Sequence, residues 1–495
     1  MEAANIRGAH RWKKKASLHT PRSALLTVIV ISSILLLFFY FRRFFVIPSE
    51  LPLSRISPAF STLRCGSSSR EKFLWYAPHS GFSNQLAEFK NALLMAAILN
   101  RTLVVPPILD HHAVALGSCP KFRVLSPPDL RFAVWNHSVE LLRNCRYVSM
   151  ADIVDISVTV SGSAVSVVDF RDFVHEWCGV KPDHSCSRDQ KAQPSLLQRL
   201  NECGSFLSGK YGNLESCLYA VDEDCRTAVW TYQKDSEEGS LDSFQPDEKL
   251  KKKKEIDFVR RRRDVYKTLG LGSFPGSSKI LAFGSLFTSP YKGSESHIDI
   301  HEAPSDKRID SFIKKIKYLP FVPEILHAGK TFVDNRIKAP FLCAQLRLLD
   351  GQFKNHWRAT FQELKHRLES LKQTGPNSVH VFLMTDLPMS NWTGSYLGDI
   401  SKDSRIKLFV LEKNDNLVTE TAGSILNGNH GMKFRSFSKR SIKVQENLKS
   451  QTLPDVLLYI EETICSCASL GFVGTTGSTI AESIELMRKF DICKR

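Results

Sequence analysis

The chain has 495 residues, 42% of them hydrophobic, and a formal net charge of +16. About 425 residues follow the N-terminal region, too many for one core, so two domains are expected. Of the charge, +7 falls in residues 1–48 and +9 in the rest; the basic runs Lys251–Lys254 and Arg260–Arg263 have no interleaved aromatics and no zinc-finger or RNA-binding signature, which excludes a nucleic-acid partner.

In chain order, the first element is an uncharged run of 18 residues, Ala24 to Phe41. At about 1.5 Å per residue it reaches roughly 27 Å, enough for a thin secretory-pathway bilayer. Six cations precede it (Arg7, Arg11, Lys13, Lys14, Lys15, Arg22), and Arg42 and Arg43 follow. The long basic flank, with no small-residue cleavage site straight after the run, predicts a signal anchor rather than a cleaved peptide. The expected organisation is a cytosolic tail (1–22), a single-pass type II transmembrane anchor (23–41), a Pro- and Ser-rich stem (42–70) and a lumenal remainder. Sequons at Asn100, Asn136 and Asn391 agree with glycosylation in that compartment, although an Asn at position 100 also suits a helix C-cap. Twelve cysteines without a Cys-x-x-Cys pair predict disulfides rather than zinc. The pairing stays open, except that Cys465 and Cys467, two apart on a predicted helix, point away from each other, and free buried thiols are the alternative for those two.

Phe73-Leu74-Trp75-Tyr76 reads as a strand. Ser80-Gly-Phe-Ser-Asn84 then reads as a loop, the segment with Leu86, Phe89, Leu93 and Ala97 as a helix, and Leu103-Val104-Val105 as a strand stopped by two prolines. This is a βαβ unit whose helix start attracts anions, and Asn84 there can reach a ligand or serve only as a cap. His79, beside the loop, is read as structural. The segment Asp183 to Ser243 is polar and cysteine-rich and reads as more loop than α/β. Gly270 to Gly276 marks the expected boundary between an N-terminal domain (71–270) and a C-terminal domain (271–495).

The second domain is expected to alternate: strand Lys279–Phe283, strand Phe341–Arg347, helix His356–Lys372, strand Val379–Met384, strand Ile406–Leu411, helix Asp455–Cys467, strand Phe472–Val473 and helix Thr479–Lys489. Alternation of this kind means parallel sheets covered by helices. Arg347 ends an apolar strand at the carboxyl edge of its sheet, where a guanidinium can grip a diphosphate through two parallel hydrogen bonds; pairing with Asp350 is the structural alternative. Asp386 and Asp455 could bind a nucleotide base or cap helices. In Gly471-Phe-Val-Gly-Thr-Thr-Gly-Ser-Thr-Ile-Ala-Glu482 a strand runs through Gly474 and Gly477, expected to admit a ligand, to Ser478 and Thr479 at a helix start. Thr479 to Glu482 also has the spacing of a capping box.

The N-terminal motif, Gly-aromatic-small-Asn-Gln followed by Asn-Arg-Thr-Leu-x-Val-Pro-Pro, resembles the signature of protein O-fucosyltransferases and their large plant branch. The strand ending at Arg347 and the Gly/Ser/Thr loop near the C-terminus are similar to two further motifs of that family. The resemblance covers roughly 73–120 and 340–490. It implies an α/β fold of two Rossmann-like domains facing across a cleft, the arrangement called GT-B. It implies a metal-independent, inverting transfer from GDP-fucose to a protein or polysaccharide hydroxyl in the Golgi or ER lumen, without a cofactor. Arg347 would neutralise the leaving diphosphate. Ser478 and Thr479 would hold it, Asn84 would position the sugar side, and Gln345, Asp350 and Asp455 would complete the donor site. No Asp-x-Asp motif in a metal-binding setting is present, which agrees. The family's strand ends His-x-Arg, whereas this one ends Gln345-Leu-Arg347, and Gln carries no proton charge. Two alternatives therefore stand: a rhamnosyltransferase-like cell-wall enzyme with a UDP-sugar donor, and a membrane-anchored binding protein without turnover.

Overall fold

The computed structural model describes residues 71–79, 81–109, 127–144, 146–161, 165–180, 193–214, 216–221, 268–284, 286, 307–349, 356–374, 378–428, 430–433 and 456–493. All belong to one compact unit, Leu63–Arg495. The expected anchor, the stem, both basic runs, Asp350 and Asp455 lie outside the described residues, among which no helix is long and apolar enough to cross a membrane.

The first sheet is built from β1 (Phe73–Tyr76), then α1 (Phe82–Leu99), β2 (Thr102–Val105), α2 (Pro127–Arg143), β3 (Ser166–Asp169), α3 (Phe170–Cys178), α4 (Gln193–Leu207), β4 (Leu218–Val221) and β5 (Ile280–Phe283). Its order is β3-β2-β1-β5-β4, all parallel. β1 and β2 are buried at every position, as strands of a sheet covered on both faces must be, so they read as unbroken apolar runs. Two expectations are corrected. The strand at 280–283, assigned from the sequence to the second half, lies between β1 and β4, with Phe73 opposite Ile280 and Tyr76 opposite Phe283. The polar segment read as loop contains α4 and β4, and β4 is held by pairing to β5 rather than by a pattern of its own.

The chain continues through α5 (Lys307–Ile316) and α6 (Pro323–Phe332) into β6 (Phe341–Leu346), α7 (Trp357–Thr374), β7 (Val379–Thr385), α8 (Tyr396–Lys402), β8 (Ile406–Phe409), α9 (Asn416–Gly428), α10 (Val456–Ser466), β9 (Gly471–Gly474) and α11 (Thr479–Lys489). The second sheet, in order β8-β7-β6-β9, is also parallel. Side chains alternate across β6 with the period of two that a strand imposes. Phe341 and Cys343 join the core shared with Phe82, Tyr459 and Ile464; Leu342, Ala344 and Leu346 pack on the other face with Leu364, Leu368 and Leu397. Disulfides join Cys178 to Cys203, Cys343 to Cys465 and Cys467 to Cys493. Cys465 and Cys467 are thus not joined to each other, and neither is a free thiol.

Candidate functional site

In the second sheet the chain enters at β6, moves outward to β7 and β8, and returns to β9 on the other side of β6. Such a reversal leaves a crevice at the carboxyl ends of the neighbouring strands β6 and β9, where ligands of open α/β sheets bind. Register places Gln345 beside Gly474 at that edge. Arg347 and the loop Thr475–Ser478 therefore leave the sheet side by side.

Thr475 joins them. Its N–H donates to Gln345 O at 3.0 Å and to Gln345 Oε1 at 3.2 Å. Its hydroxyl donates to Gln345 O at 3.1 Å and accepts the Arg347 N–H at 2.9 Å. Gln345 is 3% exposed, and both its carbonyl oxygens serve as scaffold for Thr475. Asp386, at the end of β7, accepts the N–H groups of Leu348 (2.7 Å) and Leu349 (3.0 Å). It fixes the turn that carries the half-buried Arg347.

Ser478 is the N-cap residue of α11, yet its side chain makes no cap hydrogen bond. The residue is wholly buried, and Oγ takes no partner among the described residues. Thr479 is the first helical residue, so the capping box expected from Thr479 and Glu482 does not form. Gly477 turns the chain into the helix at φ +74°, a conformation that costs glycine little. Gly474 is required by packing: a Cβ there would lie 2.7 Å from Ala481 Cβ. A buried hydroxyl and the unpaired N–H groups of the first turn of α11 thus share one helix start, which suits phosphate oxygens.

The first sheet reverses in the same way between β1 and β5, which puts the loop after β1 and the start of α1 at its own carboxyl edge. Asn84 stands in the first turn of α1, and its Oδ1 is buried without a partner among the described residues. Gln85 beside it is spent on structure, exchanging two 3.0 Å hydrogen bonds with the Leu109 backbone. His79 is not isolated: its Nδ1 pairs with Oε1 of the buried Glu88, one turn past Asn84. Burial and the nearby Glu88 charge raise the pKa of the Tyr76 hydroxyl. Phe82, the first residue of α1, packs on Tyr459 of α10 with ring centroids 4.4 Å apart, so the start of α1 meets the helix that precedes β9.

Sequence reading missed two carboxylates, Glu461 and Glu462, whose signal was a charged pair inside the otherwise apolar Val456–Ile464 run. Glu462 is wholly buried and accepts a 2.7 Å hydrogen bond from Ser483 of α11. Burial and the adjacent Glu462 push the Glu461 carboxyl well above the usual range.

The sequons differ in presentation. Asn100 is an exposed left-handed C-cap of α1 (φ 51°), Asn391 is exposed in a one-turn 3₁₀ helix, and Asn136 is half-buried in α2 with Oδ1 enclosed.

The profile of the family described as GDP-fucose protein O-fucosyltransferase matches residues 73–491. O-fucosyltransferase 30 of Arabidopsis thaliana is 59% identical over 465 residues, 91% of each chain. Crystal structures of POFUT1 align at 14% identity, in complex with GDP-fucose over 86% of this chain and 95% of theirs and in the apo form over 86% and 96%, each with a TM-score of 0.40. At that similarity they bear on neither the site nor its ligand.

Proposed function

The chain belongs to the GDP-fucose protein O-fucosyltransferase family and is a glycosyltransferase, and on that premise we propose that it moves fucose from GDP-fucose to a protein or glycan hydroxyl, with inversion and without a metal. The reading extends to two nucleotide-sugar-transferase domains in the GT-B arrangement, to a type II anchor in the Golgi or ER membrane, and to a lumenal site.

The observation that carries it is the helix start at Ser478 beside Arg347. The acceptor hydroxyl oxygen attacks the anomeric carbon from the face opposite the nucleotide and gives up its proton to the medium as the new bond forms. The bond from that carbon to the β-phosphate oxygen breaks, and its electron pair leaves with the diphosphate. Charge accumulates on phosphate oxygens, and groups held in place beforehand stabilise it most, because they need not reorganise during the step. Arg347, on a turn fixed by Thr475 and Asp386, supplies a full positive charge. Ser478 Oγ and the first N–H groups of α11 supply hydrogen bonds, and Thr479 adds a hydroxyl. Asn84 is assigned to the sugar side across the cleft. Glutamine at 345 is compatible with this division of labour, since its carbonyls brace the loop while Arg347 carries the charge.

The test is thermal stabilisation and donor hydrolysis by the full chain in detergent, against GDP, GDP-fucose and UDP-rhamnose, with and without EDTA. Stabilisation by GDP and GDP-fucose that EDTA leaves unchanged, and that Arg347→Ala abolishes, is the expected result. A response only to the UDP-sugar would transfer the assignment to the rhamnosyl class. Donor binding without hydrolysis or transfer would leave a binding protein.

A further inference from the structure

Three aromatic rings climb to the surface at the carboxyl edge of the second sheet. α7 joins β6 to the parallel β7, so its first residue, Trp357, stands at the edge that also carries Arg347. Tyr396, the first residue of α8, stands there in the same way after β7. The Phe361 ring lies between them, edge to face with each, its centroid 5.9 Å from that of Trp357 and 5.5 Å from that of Tyr396. Phe361 and Tyr396 are half-buried and pack against the cluster of Leu364, Leu368 and Leu397, whereas Trp357 is 44% exposed. The indole is thus braced from below, and a ligand that stacks on it gives up little side-chain freedom.

Two observations tie this strip to the transfer site. Leu348, next to Arg347, packs against the same cluster as Phe361 and Tyr396, so the turn that carries Arg347 and the aromatic strip share one foundation. The guanidinium of Arg358 lies over the indole, Cζ 5.4 Å from the ring centroid. Arg358 is exposed and, among the described residues, makes no hydrogen bond and no ion pair, so its N–H groups are available. An exposed indole with a guanidinium at its side suits a pyranose. The sugar lays its C–H face on the ring and offers hydroxyls or a carboxylate at its margin to the N–H fork. Trp357 and Arg358 stand on a helix, so the strip has no unpaired strand edge to hold an extended peptide. Resting on the transferase reading above, we propose that Trp357 and Arg358 form an acceptor subsite, outside the donor site, for a pyranose unit, and that the acceptor is a glycan rather than a protein.

The experiment titrates the full chain in a detergent without a sugar head group, deglycosylated because the Asn391 sequon follows the exposed Met389 at the same edge. The probes are tetragalacturonate, cellotetraose and a peptide rich in serine and threonine, each with and without GDP, and calorimetry reads binding. Saturable binding of tetragalacturonate or of cellotetraose, with none of the peptide, is expected, and the one that binds shows whether the sugar carries a carboxylate. Trp357→Ala should weaken that binding about tenfold and Arg358→Met about fivefold. Trp357→Phe, which keeps a ring against Phe361, should retain most of it, and GDP should bind all three variants like the parent. The GDP titration decides the donor reading, and the oligosaccharide titrations decide this one. The proposal is overturned if neither oligosaccharide binds with or without GDP, if the peptide binds and Trp357→Ala removes that binding, or if Trp357→Ala binds the oligosaccharide like the parent.

Discussion

Ser478 shows how one side chain separates stability from function. A buried hydroxyl without a partner costs about 1–3 kcal/mol, and Ser478 Oγ is in that position in the ligand-free chain. Ser478→Ala is therefore expected to leave the unliganded protein as stable as the parent or about 1 kcal/mol more stable. On the proposed donor site the same change would remove a hydrogen bond to a charged phosphate, so GDP should bind roughly tenfold more weakly. Calorimetry with GDP and unfolding of the apo protein, taken together, check this; a loss of apo stability would mean the hydroxyl is structural. Arg347 behaves differently, because its backbone is fixed by Thr475 and its turn by Asp386, so Arg347→Ala removes charge without releasing the loop.

At the scale of elements, α10 is the most constrained segment of the second half. It is bound to β6 by the Cys343–Cys465 disulfide, to the C-terminal residues by Cys467–Cys493, and to α11 by Ser483 and Glu462. It also carries Glu461, whose folded-state pKa is raised by burial and by Glu462. A raised carboxyl binds its proton more tightly in the folded chain than in the unfolded one, where the pKa is about 4.3. Stability therefore falls as pH rises above that value toward the folded pKa. Glu461→Gln should leave the melting temperature unchanged near pH 4 and raise it progressively toward neutrality. Parallel stabilities at every pH would show that Glu461 ionises normally. Of the helices of this half, α7, α10 and α11 were legible in the sequence, whereas α5, α6, α8 and α9 were not anticipated. Nor were the disulfide partners, because Cys343 and Cys465 are 122 residues apart and meet only when β6 and α10 pack.

At the scale of the whole molecule, the two sheets are linked by more than the chain between them. Val322 N–H donates to Ile153 O at 2.9 Å and Asp155 N–H to Pro320 O at 2.8 Å. Phe82 and Phe321 flank Tyr459. Gly431 sits against Ser149 and Asp169, and its N–H donates at 2.7 Å to Asp152 Oδ1. That carboxyl is held above its ordinary pKa by burial, partly countered by Arg171. A Cβ at 431 would meet Ser149 Cβ at 2.7 Å, so Gly431→Ala forces the two segments apart and should cost about 1–3 kcal/mol. Equilibrium denaturation measures that cost; an unchanged midpoint would show that the contact yields freely.

The amino-acid sequence by itself determined many of the local elements, including the strand ends and the hydroxyl-rich turn that bear the candidate site residues. Apolar runs ending at Arg347 and at Gly474, and a hydroxyl-rich turn before an amphipathic helix, depend on neighbours within about ten residues, so period and turn chemistry reveal them. Family membership was legible for the same reason, since its signatures are contiguous. Tertiary structure alone decided which strands share a sheet. Ile280–Phe283 has no local property that chooses β1 and β4 over the second sheet, and parallel pairing is fixed by the packing of distant segments. It alone decided that Gln345 and Asp386 act as braces, that His79 has Glu88 as a partner, and that Trp357, Phe361 and Tyr396 form one aromatic strip. Hydrogen bonds and charge pairs such as Gln345 with Thr475, 130 residues apart, form only after the chain has closed on itself, and no spacing in the sequence encodes them.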